Sequence, residues 1–161
     1  MKQQCSVRLL YLNWAIYLVG LIYLVGIGND LVAAIWLVLL PLGLLAYVRL
    51  FPMISVYLGY GDVEDKRTRG AIYPRVSGKV RFYTAVGCPF CPLVAQRLAR
   101  LRAQMGFELE KIDVTYYPEL LSKKGIRAVP VVEVGDRRLV GHVTTEQLVA
   151  LIAGSEAEAA A

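Results

Sequence analysis

The sequence is short of soft metal ligands, and its first third is nearly empty of charge. There are three cysteines and one histidine in 161 residues. A closed zinc site takes four protein ligands. Cys88 and Cys91 supply two, and Cys5 and His142 are the only other soft candidates. That scarcity argues against a zinc module. An iron–sulfur cluster shared between two chains asks less of each and stays open as a rival. The net charge is +5, but aromatics are not interleaved with the basic residues and no nucleic-acid motif accompanies them, so no nucleic acid is expected as a partner. Asp, Glu, Lys and Arg are absent from Leu9–Gly28 and from Leu31–Val48, which argues against an ion or proton pathway through those stretches.

Apolar residues fill the two uncharged stretches. Each is about 18–20 residues long, enough to cross the hydrocarbon core of a bilayer. Neither carries the polar stripe that a hairpin buried in a soluble core should show. A cleaved signal peptide fits less well, since the first stretch exceeds the usual apolar region and no small-x-small cleavage site follows it. The reading is a two-helix transmembrane hairpin over residues 1–51, with spans at about 9–28 and 31–48. Tyr11, Trp14, Trp36 and Tyr47 add amphipathic rings suited to headgroup level. Pro41 lies inside the second span, where it frees the carbonyl of Leu37 and predicts a kink. The repeated Tyr-Leu-Val-Gly at Tyr17–Gly20 and Tyr23–Gly26 spaces its glycines by six and receives no dimerisation role.

Lys and Arg set the orientation. Lys2 and Arg8 precede the first span, Arg49, Lys66, Arg67 and Arg69 follow the second, and the turn Gly28-Asn29-Asp30 has none. An integral, two-pass, N-in/C-in protein with its remainder in the cytoplasm is expected. Residues 52–75, punctuated by Pro52, Gly59, Gly61, Gly70 and Pro74, read as a juxtamembrane linker. Met53–Tyr60 has the composition to lie along the headgroup layer. Residues 154–161, small and polar, read as a flexible tail.

Residues 76–153 follow a different pattern. Lys79–Thr84 alternates and predicts a strand. Val94, Leu98, Leu101 and Met105 share one helical face, with Arg97, Arg100 and Arg102 expected on a solvated one that faces the anionic inner leaflet. Gly106 is the expected stop. Phe107–Val114 reads as a strand, Pro118–Gly125 as a short helix, and Pro130–Val134 and Arg137–Gly141 as strands joined by a Gly-Asp turn. Thr144 or Thr145 caps a last helix. The order β-α-β-α-β-β-α predicts a four-stranded mixed sheet with helices on both faces.

Cys88 and Cys91 fall between the first strand of this domain and its first helix. A helix starting near Pro89 points unpaired amides at Cys88 and favours its thiolate. Pro89 suits the first turn, which needs no donor there. Cys88 is expected to be the exposed attacking sulfur and Cys91 the buried resolving one, in two-electron thiol–disulfide exchange. Pro130 opens a strand, where proline is permitted only for a reason. A cis Val129–Pro130 bond would hold the Val129 backbone against the sulfurs and offer an edge to a substrate chain.

The stretches Gly87-Cys88-Pro89-Phe90-Cys91-Pro92-Leu93-Val94, Gly125–Val134 and Leu139–Ile152 resemble the thioredoxin superfamily, specifically its glutaredoxin-like branch and protein disulfide oxidoreductases. The resemblance covers about half of the chain. It implies a thioredoxin-like α/β fold, Cys88 as nucleophile, Cys91 as resolving thiol and Pro130 as the cis-proline. Pro89, Phe90, Val129 and Gly141 would then line the substrate site. The chain departs from glutaredoxins at Gly141-His142-Val143-Thr144, where they carry a Gly-Gly pair and an acidic residue for glutathione. It departs again at Ala85-Val86-Gly87, where they tend to carry a basic residue.

The expected function is a membrane-anchored thiol–disulfide oxidoreductase. It would reduce protein disulfides, including those of membrane proteins, at the cytoplasmic face. It would carry no cofactor and no metal beyond its redox-active Cys88–Cys91 pair. Electrons would come from a thioredoxin reductase-like enzyme or glutathione. The alternative is a non-catalytic, membrane-tethered module that docks a partner, senses redox state or binds a metal or iron–sulfur cluster. Cys5 is read as a bystander, with disulfide formation or lipid attachment as its other roles. His142 is read as a packing or capping residue.

Overall fold

A computed structural model describes residues 4–54 and 73–159. The N-terminal third forms two helices, α1 (Val7–Gly26) and α2 (Asp30–Ile54). Both are long and apolar enough to cross a bilayer by length and composition. Most of their large side chains are exposed, Leu31 at 74% and Ile22 at 72% among them. α1 begins two residues before the expected span, and α2 continues to Ile54, past the expected end at Val48. Asp30 belongs to the first turn of α2, where a carboxylate suits the helix dipole.

Two features of the sequence explain how the helices pair. α2 runs on through Pro41, and the Leu37 carbonyl that the proline leaves free accepts a hydrogen bond from the Tyr17 hydroxyl at 3.3 Å. The Trp36 indole donates in turn to the Tyr17 carbonyl at 3.3 Å. A Cβ on Gly20 would stand 3.0 Å from the Trp36 ring, so the first Tyr-Leu-Val-Gly motif supplies the space for that indole. Gly26 makes no comparable contact. Of the basic residues used for orientation, Lys2, Lys66, Arg67 and Arg69 lie outside the described residues, as does most of the linker, residues 55–72.

The second region contains β2 (Lys79–Thr84), α3 (Phe90–Met105), β3 (Glu108–Asp113), α4 (Glu119–Lys124), β4 (Ala128–Val129), β5 (Val131–Val134), β6 (Arg137–Val140) and α5 (Thr145–Ala159). The four-stranded sheet has the order β3-β2-β5-β6. β2 runs parallel to β3 and antiparallel to β5, and β5 runs antiparallel to β6. This is the expected mixed thioredoxin-like sheet. Val80, Phe82, Leu98, Leu101, Met105, Leu148 and Ile152 form the centre of its core. α3 ends at Gly106, whose amide bonds the Arg102 carbonyl at 2.9 Å. Thr144 caps α5 reciprocally: its hydroxyl accepts from the Gln147 amide, and the Gln147 side chain accepts from the Thr144 amide at 3.0 Å. α5 continues to Ala159, beyond Gly154, where the sequence suggested a tail.

Two elements were not expected, β4 and the strand that pairs with it. Residues Cys5–Ser6 form a short strand, β1, paired antiparallel with β4, so that Cys5 faces Val129 and Ser6 faces Ala128. The Val7 amide extends the ladder to the Arg127 carbonyl at 3.2 Å. α1 and α2 pack on the α/β domain just beside this strand. Val7 and Phe51 are buried, Phe51 meets Phe90 edge to face at 5.5 Å, and the Tyr11 hydroxyl reaches the Val114 carbonyl at 3.5 Å.

Candidate functional site

The site forms where β2 hands the chain to α3. Gly87 makes the turn with φ +87°, a conformation that a side chain would strain. A Cβ there would also meet Leu44 and Leu10 from the two apolar helices, at 3.7 and 3.8 Å. The turn closes when the Cys88 amide bonds the Ala85 carbonyl at 3.3 Å. The Cys91 amide then bonds the Cys88 carbonyl at 3.3 Å as α3 begins. Thr115 steadies the turn by accepting from the Val86 amide at 3.0 Å.

Across from the turn, the Val129–Pro130 peptide is cis. The Cys88 thiol lies 3.8 Å from the Val129 carbonyl. Val129 and Pro130 are both buried. Gly141, also buried, donates its amide to the Pro130 carbonyl at 2.8 Å. Phe90 and Pro89 are half-buried at the start of α3, and Phe90 packs between Phe51 and His142. Every residue picked from the sequence therefore lies in this one neighbourhood.

The exposure of the sulfurs differs from expectation. Cys88 is 1% exposed and Cys91 4%. Cys88 is not the open sulfur of the pair, because Cys5 lies on top of it. The two Sγ atoms are 2.7 Å apart, and none of the three cysteines is in a disulfide. Cys5 is the residue that sequence reasoning set aside. Its one signal is that the cysteine count is odd, with the third cysteine just ahead of a helix that returns to the domain.

The sulfurs share protons. Cys88 is shifted far upward as a thiol, first by its bond to Cys5, then by its bond to Cys91 and by burial. Cys5 is shifted down, chiefly because Cys88 donates to it. Burial opposes ionisation of Cys91, but hydrogen bonds from Cys88, Thr84 and the Ala85 backbone outweigh it and shift Cys91 down. Ionisation is thus disfavoured at the middle sulfur, against the expectation of a Cys88 thiolate, and eased at the outer two.

A cleft of about 410 Å³ reaches Cys88 and Cys91 from the other side, between α2 (Leu44, Leu45, Val48) and the start of α3. Arg97 is not on the solvated face with Arg100 and Arg102. It is buried, with its guanidinium 2.9 Å from His142 Nε2 and donating to the Val143 carbonyl at 2.7 Å. It anchors the loop that follows β6. Among the described residues, no group of three or more His, Cys, Asp or Glu is arranged to hold a metal ion.

Residues 79–153 match the family model described as Glutaredoxin-like domain (DUF836). No curated protein matches the chain. Among solved structures, the alkylhydroperoxide reductase AhpF of Enterococcus faecalis is 23% identical, with a TM-score of 0.49, over 58% of this chain and 46% of that one. A thioredoxin from Halobacterium salinarum is 24% identical, with a TM-score of 0.45, over 50% of this chain and 75% of that one. The chain thus spans less than half the length of the first of these.

Proposed function

With residues 79–153 a glutaredoxin-like domain of the thioredoxin superfamily, we propose that the protein is a thiol–disulfide oxidoreductase held at a membrane by α1 and α2. The observation that carries this is the meeting of Cys88, Cys91 and the Val129 carbonyl at a strand-to-helix turn. In the reduced protein Cys88 passes its proton to Cys5 and attacks a partner disulfide as the thiolate. One partner sulfur leaves as a thiolate, and a mixed disulfide forms. The Cys91 thiolate then attacks the Cys88 sulfur, releasing the second partner thiolate and leaving a Cys88–Cys91 disulfide. Two electrons have passed to the partner. In that step the hydrogen bonds from Thr84 and the Ala85 backbone favour the Cys91 thiolate.

The substrate is a protein disulfide at the cytoplasmic face, with Pro89, Phe90, Val129 and Gly141 around it. Arg8 and Arg49 flank the helices on the domain's side and support that orientation. A thioredoxin reductase-like enzyme or glutathione resupplies electrons to Cys88–Cys91. A second reading draws on the burial of Cys88: a tethered module that senses redox state or docks a partner without turnover.

The test is to equilibrate the full chain, in detergent micelles, with glutathione buffers and count free thiols at Cys88 and Cys91. The expected result is a two-electron transition below about −220 mV, together with turnover of an added protein disulfide. A transition without turnover supports the second reading. No two-electron transition at either cysteine overturns both redox readings and leaves metal binding or a structural role.

A further inference from the structure

We propose that Cys5 is a third redox-active cysteine, docked by its own strand on the Ala128–Val129 edge so that it exchanges a disulfide with Cys88 inside one chain. The inference rests on the oxidoreductase reading and adds an internal substrate to it.

Three observations carry it. First, the docking is by backbone and in register: Cys5 faces Val129, Ser6 faces Ala128, and the Val7 amide bonds the Arg127 carbonyl. An extended segment held this way presents its side chain at a fixed place along the edge. Second, that place brings Cys5 Sγ to 2.7 Å from Cys88 Sγ, with Cys88 against the Val129 carbonyl as well. Third, the segment is tied down from behind. Val7 is buried, Tyr11 reaches the Val114 carbonyl, and Leu10 lies beside Gly87. With α1 so fixed, Cys5 is presented to Cys88 at the high effective concentration of a short tether.

The exchange balances without an outside oxidant once the Cys88–Cys91 disulfide exists. The Cys5 thiolate attacks the Cys88 sulfur. The Cys88–Cys91 bond breaks, the Cys5–Cys88 bond forms, and Cys91 leaves as a thiolate carrying the electron pair. The reverse step returns the disulfide to Cys91. The result is a self-occupied edge. A partner chain must displace β1 to pair with the Ala128–Val129 edge, and Cys5 covers Cys88 on that side in the meantime.

The experiment uses the full chain in detergent micelles, oxidised with diamide, acid-quenched, alkylated, digested without reduction and mapped by mass spectrometry. Wild type should show the Cys88–Cys91 bridge. In Cys91→Ser, where nothing resolves Cys88, the Cys5–Cys88 peptide pair should rise about tenfold over wild type in monomeric protein. In the Cys5→Ser/Cys91→Ser double variant Cys88 should stay a free thiol. If wild type forms Cys88–Cys91 but Cys91→Ser leaves Cys5 and Cys88 separately alkylated, Cys5 is a packing residue and the proposal is overturned. A disulfide-linked dimer through Cys5 overturns the intrachain arrangement. If no Cys88–Cys91 bridge forms in wild type, the underlying oxidoreductase reading fails, a result distinct from the other two.

Discussion

The two regions of the molecule treat apolar side chains in opposite ways. In the α/β domain Leu98, Val80 and Leu148 are fully buried, while in the hairpin Leu39 and Leu31 are 61% and 74% exposed. One region completes its own core, and the other has its apolar surface still to cover. The exceptions to the second pattern are informative. Of its three buried residues among those described, Val7, Ala33 and Phe51, Val7 and Phe51 lie where the hairpin touches the domain, at Arg127 and Phe90. The helices are therefore more than a tether at this end, since their first and last turns form part of the walls of the site.

The largest expected effect is chemical and belongs to the domain alone. Cys88→Ser should reduce turnover of a protein disulfide by more than about 10³-fold, because no other sulfur lies where it can both attack a partner and be resolved by Cys91. The measurement is turnover by full-length protein in micelles with a thiol reductant supplied. Activity within tenfold of wild type would mean that Cys5 or Cys91 is the attacking group.

A stability measurement sharpens the contrast between the regions. Leu98→Ala removes a fully buried side chain from the core and should cost about 2–5 kcal/mol in urea unfolding of the domain. Leu39→Ala, on an exposed face of α2, should change the same transition by less than about 0.5 kcal/mol. Equal effects would show that the hairpin and the domain unfold as one unit.

Glu133 breaks the pattern inside the domain. It is a carboxylate only 4% exposed on the central strand β5, ringed by Arg138 at 2.8 Å, Lys124 at 3.1 Å and Arg81 at 3.3 Å, with the Tyr83 hydroxyl at 3.3 Å. Burial works to raise its pKa, but the bonds from Arg138, Lys124 and Arg81 prevail and lower it. A folded value below the unfolded one adds stability that is complete above the unfolded pKa, about 4.3. It is lost as pH falls through the folded value. Glu133→Gln should therefore cost about 1–3 kcal/mol at pH 7, a figure kept low because the three cations are partly exposed. The difference from wild type should shrink as the pH falls below about 4. Urea titrations at pH 7 and pH 3.5 check this, and a gap that stays constant would contradict it.

The fold was legible because its signals are local. The apolar face of α3, the strand alternation of β2, the Gly135-Asp136 turn and a threonine cap at Thr144 or Thr145 each declare themselves within a few residues. Cys88 and Cys91 came with them, as neighbours at a strand-to-helix junction. What the sequence hid depends on contacts between distant segments. β1 is two residues long and finds its partner more than a hundred residues away, so no period marks it and Cys5 looked idle. Arg97 was misplaced because the buried arc of α3 is wider than the four apolar positions that define it. That arc takes in a guanidinium once His142 and Val143 are there to receive it. Glu133 sits in a strand buried at all four residues, where alternation no longer tells one face from the other.

The smallest expected effect bears on the join itself. Phe51 of α2 and Phe90 of α3 meet edge to face, with centroids 5.5 Å apart. Such a pair contributes about 0.5–1.5 kcal/mol beyond the area it buries. Phe51→Leu and Phe90→Leu, alone and combined, should show a coupling of that size in a double-mutant cycle on domain unfolding in micelles. The same variants should speed hydrogen exchange at the Cys88 and Cys91 amides, since Phe90 lies between them where the turn passes into α3. A coupling near zero with unchanged exchange would reduce the hairpin to a simple anchor. A measurable one means that whatever presses on α2 is felt one helical turn away, at the sulfurs.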